Sequence, residues 1–142
     1  MLKRTEDYAK CQNEQQFKML WLKRNQNPNT YFFCIETEET VKGFPDVMSV
    51  CRETTKSIFF EFKFTKTGKI KFQPTQPAFY KAHSDMNIWI VAYNAKTKTL
   101  HHFEKNELFK AGNVYEMNEK AEVDLCRAEK LIMFDDPVEE KQ

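Results

Sequence analysis

The sequence has little glycine and proline, three and five in 142 residues, which excludes collagen-like repeats and flexible low-complexity arrays. It has no apolar run approaching the ~20 residues that a membrane helix needs, so no membrane partner is expected. Its polar start, MLKRTEDYAKCQNEQQ, carries no apolar segment of a secretion signal, and a cytoplasmic location (host cytoplasm for a viral protein) is expected. It has no CxxC pair and no Cys/His cluster. Cys11, Cys34, Cys51 and Cys126 are scattered too widely for a zinc site or a disulfide framework, and in a reducing compartment they read as small core residues. It has almost no net charge, +1 at neutral pH, so total charge alone demands no anionic partner.

What is present is aromatic. Phenylalanine alone occurs 13 times and hydrophobic residues make up 41% of the chain, enough to give one domain a core. The expected organisation is a single domain over residues 1–134 and a frayed acidic tail over 135–142, DDPVEEKQ. Charge is unevenly spread. Arg52, Lys56, Lys63, Lys66, Lys69 and Lys71 face only Glu53 and Glu61 over residues 52–71, a locally basic stretch that allows nucleic-acid contact.

Spacing predicts a helix over 5–24, where Cys11, Phe17, Leu20 and Trp21 recur on one side, ended by Asn27-Pro28. Strands are predicted over 31–35, 46–51 and 57–64. Residues 65–69 read as a loop and 74–84 as a helix opened by Pro74. Strands over 88–93 and 99–103 follow, then helices over 104–110 and 118–130. The order predicts an α/β domain with a mixed sheet.

The chemistry concentrates on Ser57-Ile58-Phe59-Phe60-Glu61-Phe62-Lys63-Phe64. Alternation puts Ile58, Phe60, Phe62 and Phe64 on one face, with Phe59, Glu61 and Lys63 on the other. Taken alone, Glu61 and Lys63 read as a surface ion pair contributing about 0–1 kcal/mol. The preceding strand alters that balance. A turn centred near residues 53–54 pairs positions antiparallel so that Asp46 falls opposite Glu61, whereas a one-residue slip would send the carboxylates to opposite faces. Two adjacent carboxylates repel unless a proton or cation lies between them. An oxygen-seeking ion such as Mg²⁺ suits the pair, since it takes one or two carboxylates and keeps several waters.

Glu14 lies in phase with Phe17 and Trp21 on the apolar stripe of the first helix, where a carboxylate is costly unless partnered. It could equally reach the stripe's edge or pair with Lys10 or Lys18. Gln76 shares a stripe with Phe79, Tyr80 and His83 and reads either as a helix cap or as a donor to Lys63, water or phosphate. Gly43 permits φ > 0 and close backbone approach, and Pro45 restrains the chain just before Asp46; an ordinary turn would use both as well. His83 reads as structural, and His101 and His102 as facing opposite sides of a strand.

Glu14, Gly43-Phe44-Pro45-Asp46, Glu61-Phe62-Lys63 and Pro74-Thr75-Gln76 occur in the order of the PD-(D/E)XK nuclease superfamily. More narrowly, the chain resembles the virus-type replication-repair nuclease (VRR-NUC) group over about residues 10–95. The resemblance implies a restriction-endonuclease-like αβββαβ core with a mixed central sheet flanked by helices. It also implies hydrolysis of DNA phosphodiesters. Asp46, Glu61 and the Phe62 backbone carbonyl would hold Mg²⁺ or Mn²⁺, with Glu14 direct or through water. Lys63 would position the attacking water and stabilise developing charge, and Gln76 would orient it. Lys42, Lys66, Lys69, Lys71 and Tyr80 are candidates for nucleic-acid contact. The expected substrate is branched or otherwise structured DNA in replication, recombination or repair. A junction-resolving version would require a homodimer with two sites. A non-catalytic nucleic-acid-binding or assembly protein on the same fold is the alternative. A domain whose charges are merely structural would instead hold Asp46 and Glu61 far apart.

Overall fold

The computed structural model describes residues 8–35 and 42–127. Helix α1 spans Glu14–Arg24, and the strands β1 Thr30–Cys34, β2 Val47–Cys51, β3 Ser57–Thr65 and β4 Lys69–Lys71 follow it. Helix α2, Thr75–Ala82, leads to β5 Ile88–Asn94 and β6 Thr99–Glu104. A 3₁₀ turn over Lys105–Phe109 and strand β7, Glu122–Asp124, complete the described chain.

Five strands form the main sheet in the order β1-β2-β3-β5-β6. Only β3 and β5 run parallel, Phe59 opposite Ile88 through Thr65 opposite Asn94; the other pairs are antiparallel. A parallel pair needs a crossover, and here the connection contains α2. The expected mixed sheet and, for the main-sheet strands, the expected αβββαβ order are what the chain forms, with the short β4 of a second sheet added before α2.

Aromatic residues fill both faces. On one, Trp21 of α1 meets Phe60 and Phe62 at ring separations of 5.0 and 5.2 Å, and its indole N–H donates to His102 Nε2 at 3.0 Å. On the other, Phe79 and Tyr80 of α2 join Ile88, Ile90, Phe103 and Tyr115. Full burial of such side chains stabilises by roughly 1.5–3 kcal/mol each. His101 and His102 do face opposite sides: His101 lies against Tyr115, His102 against Trp21.

Three expectations are corrected. The helix expected over 5–24 is not continuous: among the described residues Tyr8 is helical, 9–13 are not, and α1 begins at Glu14 because Asn13 is extended and its side chain accepts from the Gln16 N–H at 2.9 Å, an N-cap; residues 5–7 lie outside the described chain. The helix expected over 118–130 is replaced, as far as residue 127, by a turn and β7. Asn118 Oδ1 accepts from Lys120 N at 2.9 Å, and Ala121 takes φ +60°, which a right-handed helix cannot contain. Strand β7 then pairs with β4, Ile70 opposite Val123, both buried; residue 69, expected in a loop, begins β4. Finally, Cys11 is the buried cysteine, while Cys34 is exposed and Cys51 and Cys126 are half-buried. The expected tail over 135–142 lies outside the described residues.

Candidate active site

The β2–β3 register runs Val47 opposite Phe60 to Val50 opposite Ser57, the pairing the turn length predicts. Continued by one step, it sets Asp46 beside Glu61. On β1 the corresponding level is Ile35, whose N–H donates to the Asp46 carbonyl at 2.7 Å. Strand β2 begins immediately after Pro45 and Asp46, because proline has no N–H to donate to a ladder. Beyond Phe60, the β2-side edge of β3 therefore has no registered strand. The Asp46 carboxylate lies there, and its Oδ2 accepts from the Phe62 N–H at 3.4 Å. In an extended strand a residue's N–H and C=O point to the same side, so the Phe62 carbonyl faces the same edge.

Gly43 secures this arrangement from below. Its φ is +88°, and a Cβ built there would lie 2.3 Å from the Thr75 carbonyl oxygen and 3.0 Å from Phe79 Cβ. Only glycine lets the segment ahead of Asp46 pack so closely on the start of α2. Phe44 adds edge-to-face contacts with Phe59 at 5.5 Å and Phe79 at 5.4 Å.

Glu61 is only 4% exposed, and its Oε1 is buried without a hydrogen-bond partner. Burial pushes its carboxyl well above the usual carboxylate range; the negative charges of Asp46 and Glu14 add to this, while Lys63 and Gln76 oppose it. Lys63 Nζ lies 3.9 Å from Glu61 Oε2 and donates to Gln76 Oε1 at 3.0 Å. The same Gln76 oxygen accepts from the Gln73 N–H at 2.9 Å, which fixes the amide orientation, and the Phe72 ring supports the ammonium at 4.6 Å. The helix thus holds Lys63 in one rotamer through Gln76.

Glu14 stands in the first turn of α1. The residue is exposed, yet its carboxyl feels Lys63 and Asp46, and desolvation is the main cause of its raised proton affinity. Glu14, Asp46, Glu61, Lys63 and Gln76 are thereby brought into one electrostatic neighbourhood. Lys42, Lys66, Lys69 and Lys71 are all exposed.

Tyr80 is a correction. It is fully buried, so it offers no surface to a nucleic acid. Its hydroxyl has no hydrogen-bond partner, and burial, reinforced by Glu61 and Asp46, raises its proton affinity. Helical phase put Tyr80 on the stripe of Gln76, but nothing in the sequence showed how deep that stripe runs. Phe72 was missed altogether, since a phenylalanine in a short connection carries no sign of the cation it supports.

The donors are of a kind that suits a hard divalent cation: the Asp46 and Glu61 carboxylates, the latter with its buried Oε1 unpartnered, and the Phe62 backbone carbonyl. Among the described residues, no group of three or more His, Cys, Asp or Glu side chains is placed to hold a metal ion.

No protein-family model and no curated protein matches the chain. Among solved structures it is similar to D212, a nuclease from a fusselovirus, with 9% identity, 82% of each chain covered and a TM-score of 0.45. At that distance the site stands on its own geometry. No helix among the described residues is long and apolar enough to cross a membrane.

Proposed function

We propose that this chain is a Mg²⁺- or Mn²⁺-dependent DNA endonuclease of the PD-(D/E)XK type, closest to the VRR-NUC group and acting on branched or otherwise structured DNA. The observation that carries this reading is the buried Glu61, its Oε1 unpartnered, level with Asp46 at the open edge of β3 and beside a Lys63 immobilised by Gln76. A protein without need of a cation would gain by replacing such a carboxylate with an apolar residue.

Asp46, Glu61 and the Phe62 carbonyl are the groups that would hold the ion, with Glu14 acting through water. When bound, the ion polarises the scissile phosphate and lowers the pKa of coordinated water. Lys63 positions the nucleophile and offsets charge developing on the phosphate oxygens. Gln76 keeps the Lys63 ammonium from collapsing fully onto Glu61. Lys42, Lys66, Lys69 and Lys71 supply phosphate contacts that position DNA without reading its sequence.

The test is a panel of branched, flapped, duplex and single-stranded DNA, incubated with Mg²⁺ or Mn²⁺ and either wild type or Lys63→Ala. Wild type should cut at least one substrate. Lys63→Ala should fold, bind DNA and cut about 10²-fold more slowly or less. A folded wild-type protein that cuts none of the four would overturn the reading in favour of a non-catalytic binding protein.

A further inference from the structure

Tyr31 and Phe33 are 45% and 48% exposed, an unusual position for two large rings on one strand. The register explains which face they occupy. Tyr31 pairs with Val50 and Phe33 with Met48 on β2, and Met48 pairs with Phe59 on β3. These are the odd positions of β1, even of β2 and odd of β3. The same face carries Asp46 and Glu61. Helix α2 covers that face over β5, where Phe79 and Tyr80 pack on Ile88 and Ile90, but it leaves β1 open. Counting along β1 from the Asp46 level, Phe33 lies about 7 Å and Tyr31 about 14 Å from the carboxylates' row. The two rings are 6.2 Å apart and tilted by 39°, and the exposed Arg52 guanidinium stacks on Tyr31 at 3.9 Å.

We infer that this face, Phe33 and Tyr31 capped by Arg52, is a stacking surface for unpaired bases of the strand being cut. The inference rests on the endonuclease reading above. Aromatic rings alone would suit any apolar partner; their placement favours nucleic acid. Among the described residues they lie on the sheet face that carries Asp46 and Glu61, on the strand next to β2. Arg52 and Lys56, with Glu53 between them, put cationic groups at the distal end, where the next phosphates would run. Every base has a π-face, so such a surface binds without sequence preference, and an Arg beside a ring stacks on bases in the same manner. The substrate class this selects is DNA with unpaired nucleotides next to the scissile bond.

The experiment measures binding in EDTA, where cutting cannot interfere, using labelled oligothymidylate and a blunt duplex. Tyr31→Ser combined with Phe33→Ser should weaken oligothymidylate binding by about tenfold or more and leave duplex binding unchanged, while tryptophan at both positions should restore it. Thermal melting should show both variants folded, since neither ring is buried. Unchanged strand affinity in the serine variant would overturn the inference, as would equal losses on strand and duplex, or wild type failing to bind the strand. Loss of a dimer on light scattering with strand affinity intact would overturn it in favour of a second copy on this face. Strand binding through the two rings without any cutting in Mg²⁺ would uphold the surface and defeat the endonuclease reading.

Discussion

The two halves of β3 belong to one continuous strand, Ser57–Thr65, yet they do different things. Ser57–Phe60 is hydrogen-bonded into β2, and at Phe59 and Phe60 also into β5. From Glu61 to Thr65 only β5 is registered against it. The first half has β2 beside it throughout and sinks only Phe60 fully into the core. The second presents a backbone edge, a buried carboxylate and an ammonium. The difference arises outside β3, in Gly43-Phe44-Pro45-Asp46, which stops β2 one residue short and turns the chain onto α2. An open strand edge is made here by ending the neighbouring strand, not by altering the strand that carries the groups.

Adjacent substitutions across that divide should therefore differ in sign. Phe60 is fully buried, 5.0 Å from Trp21, and Phe60→Ala should destabilise by about 3–5 kcal/mol in urea titration. Glu61→Gln should abolish cutting and yet stabilise the cation-free protein at neutral pH. Because burial and Asp46 raise the Glu61 carboxyl above its ordinary 4.5, the folded state binds this proton more tightly than the unfolded one. Its stabilising contribution is complete below about pH 4.5 and is lost as pH rises through the folded value. In EDTA the melting temperature of wild type should fall relative to Glu61→Gln over that range, and Mn²⁺ should raise wild type alone. A Glu61→Gln protein that melts lower at neutral pH without metal would break the comparison.

The hinge between the halves can be tested separately. Gly43→Ala sets a Cβ 2.3 Å from the Thr75 oxygen at φ +88° and should cost about 1–3 kcal/mol, with a loss of cutting as Asp46 moves relative to Gln76. Gly112 has φ +79° and no atom within 4 Å of an added Cβ. Gly112→Ala should therefore carry the backbone strain alone and leave cutting intact. Equal effects at the two glycines would show that the Gly43–Thr75 contact positions nothing.

Much of this division was legible in the sequence. The strand alternation, the turn length that sets the β2–β3 register and the Gly-Pro punctuation are local properties, and each led to the observed pairing. What was not legible depends on tertiary depth. Taken alone, Glu61 reads as half of a surface ion pair and only its register with Asp46 alters that, because alternation says which face a side chain takes and not whether α2 covers it. Tyr80 was assigned to the surface for the same reason. The 118–127 segment has helix-forming residues, but β4 offered a partner and the Asn118 turn directed the chain to it, so tertiary pairing outweighed local propensity. Roles within the site came through family resemblance, since no spacing argument distinguishes an ion ligand from a salt-bridged carboxylate.

The smallest effects are expected where lysines face only solvent. Lys69 and Lys71 flank the buried Ile70 on β4 and are exposed, as is Lys66. Each one changed to alanine should weaken DNA binding modestly, without regard to sequence, and lower the salt dependence of affinity by about one unit of slope. Lys63 should behave in the converse way. Held by Gln76 at 3.0 Å and packed on Phe72, it is too enclosed to exchange freely with counterions. Lys63→Ala should thus leave the salt slope nearly unchanged while removing turnover. If Lys63→Ala instead lowered the slope like the others and spared turnover, it would belong with the solvent-facing lysines, and the distinction between the halves of β3 would be one of burial alone.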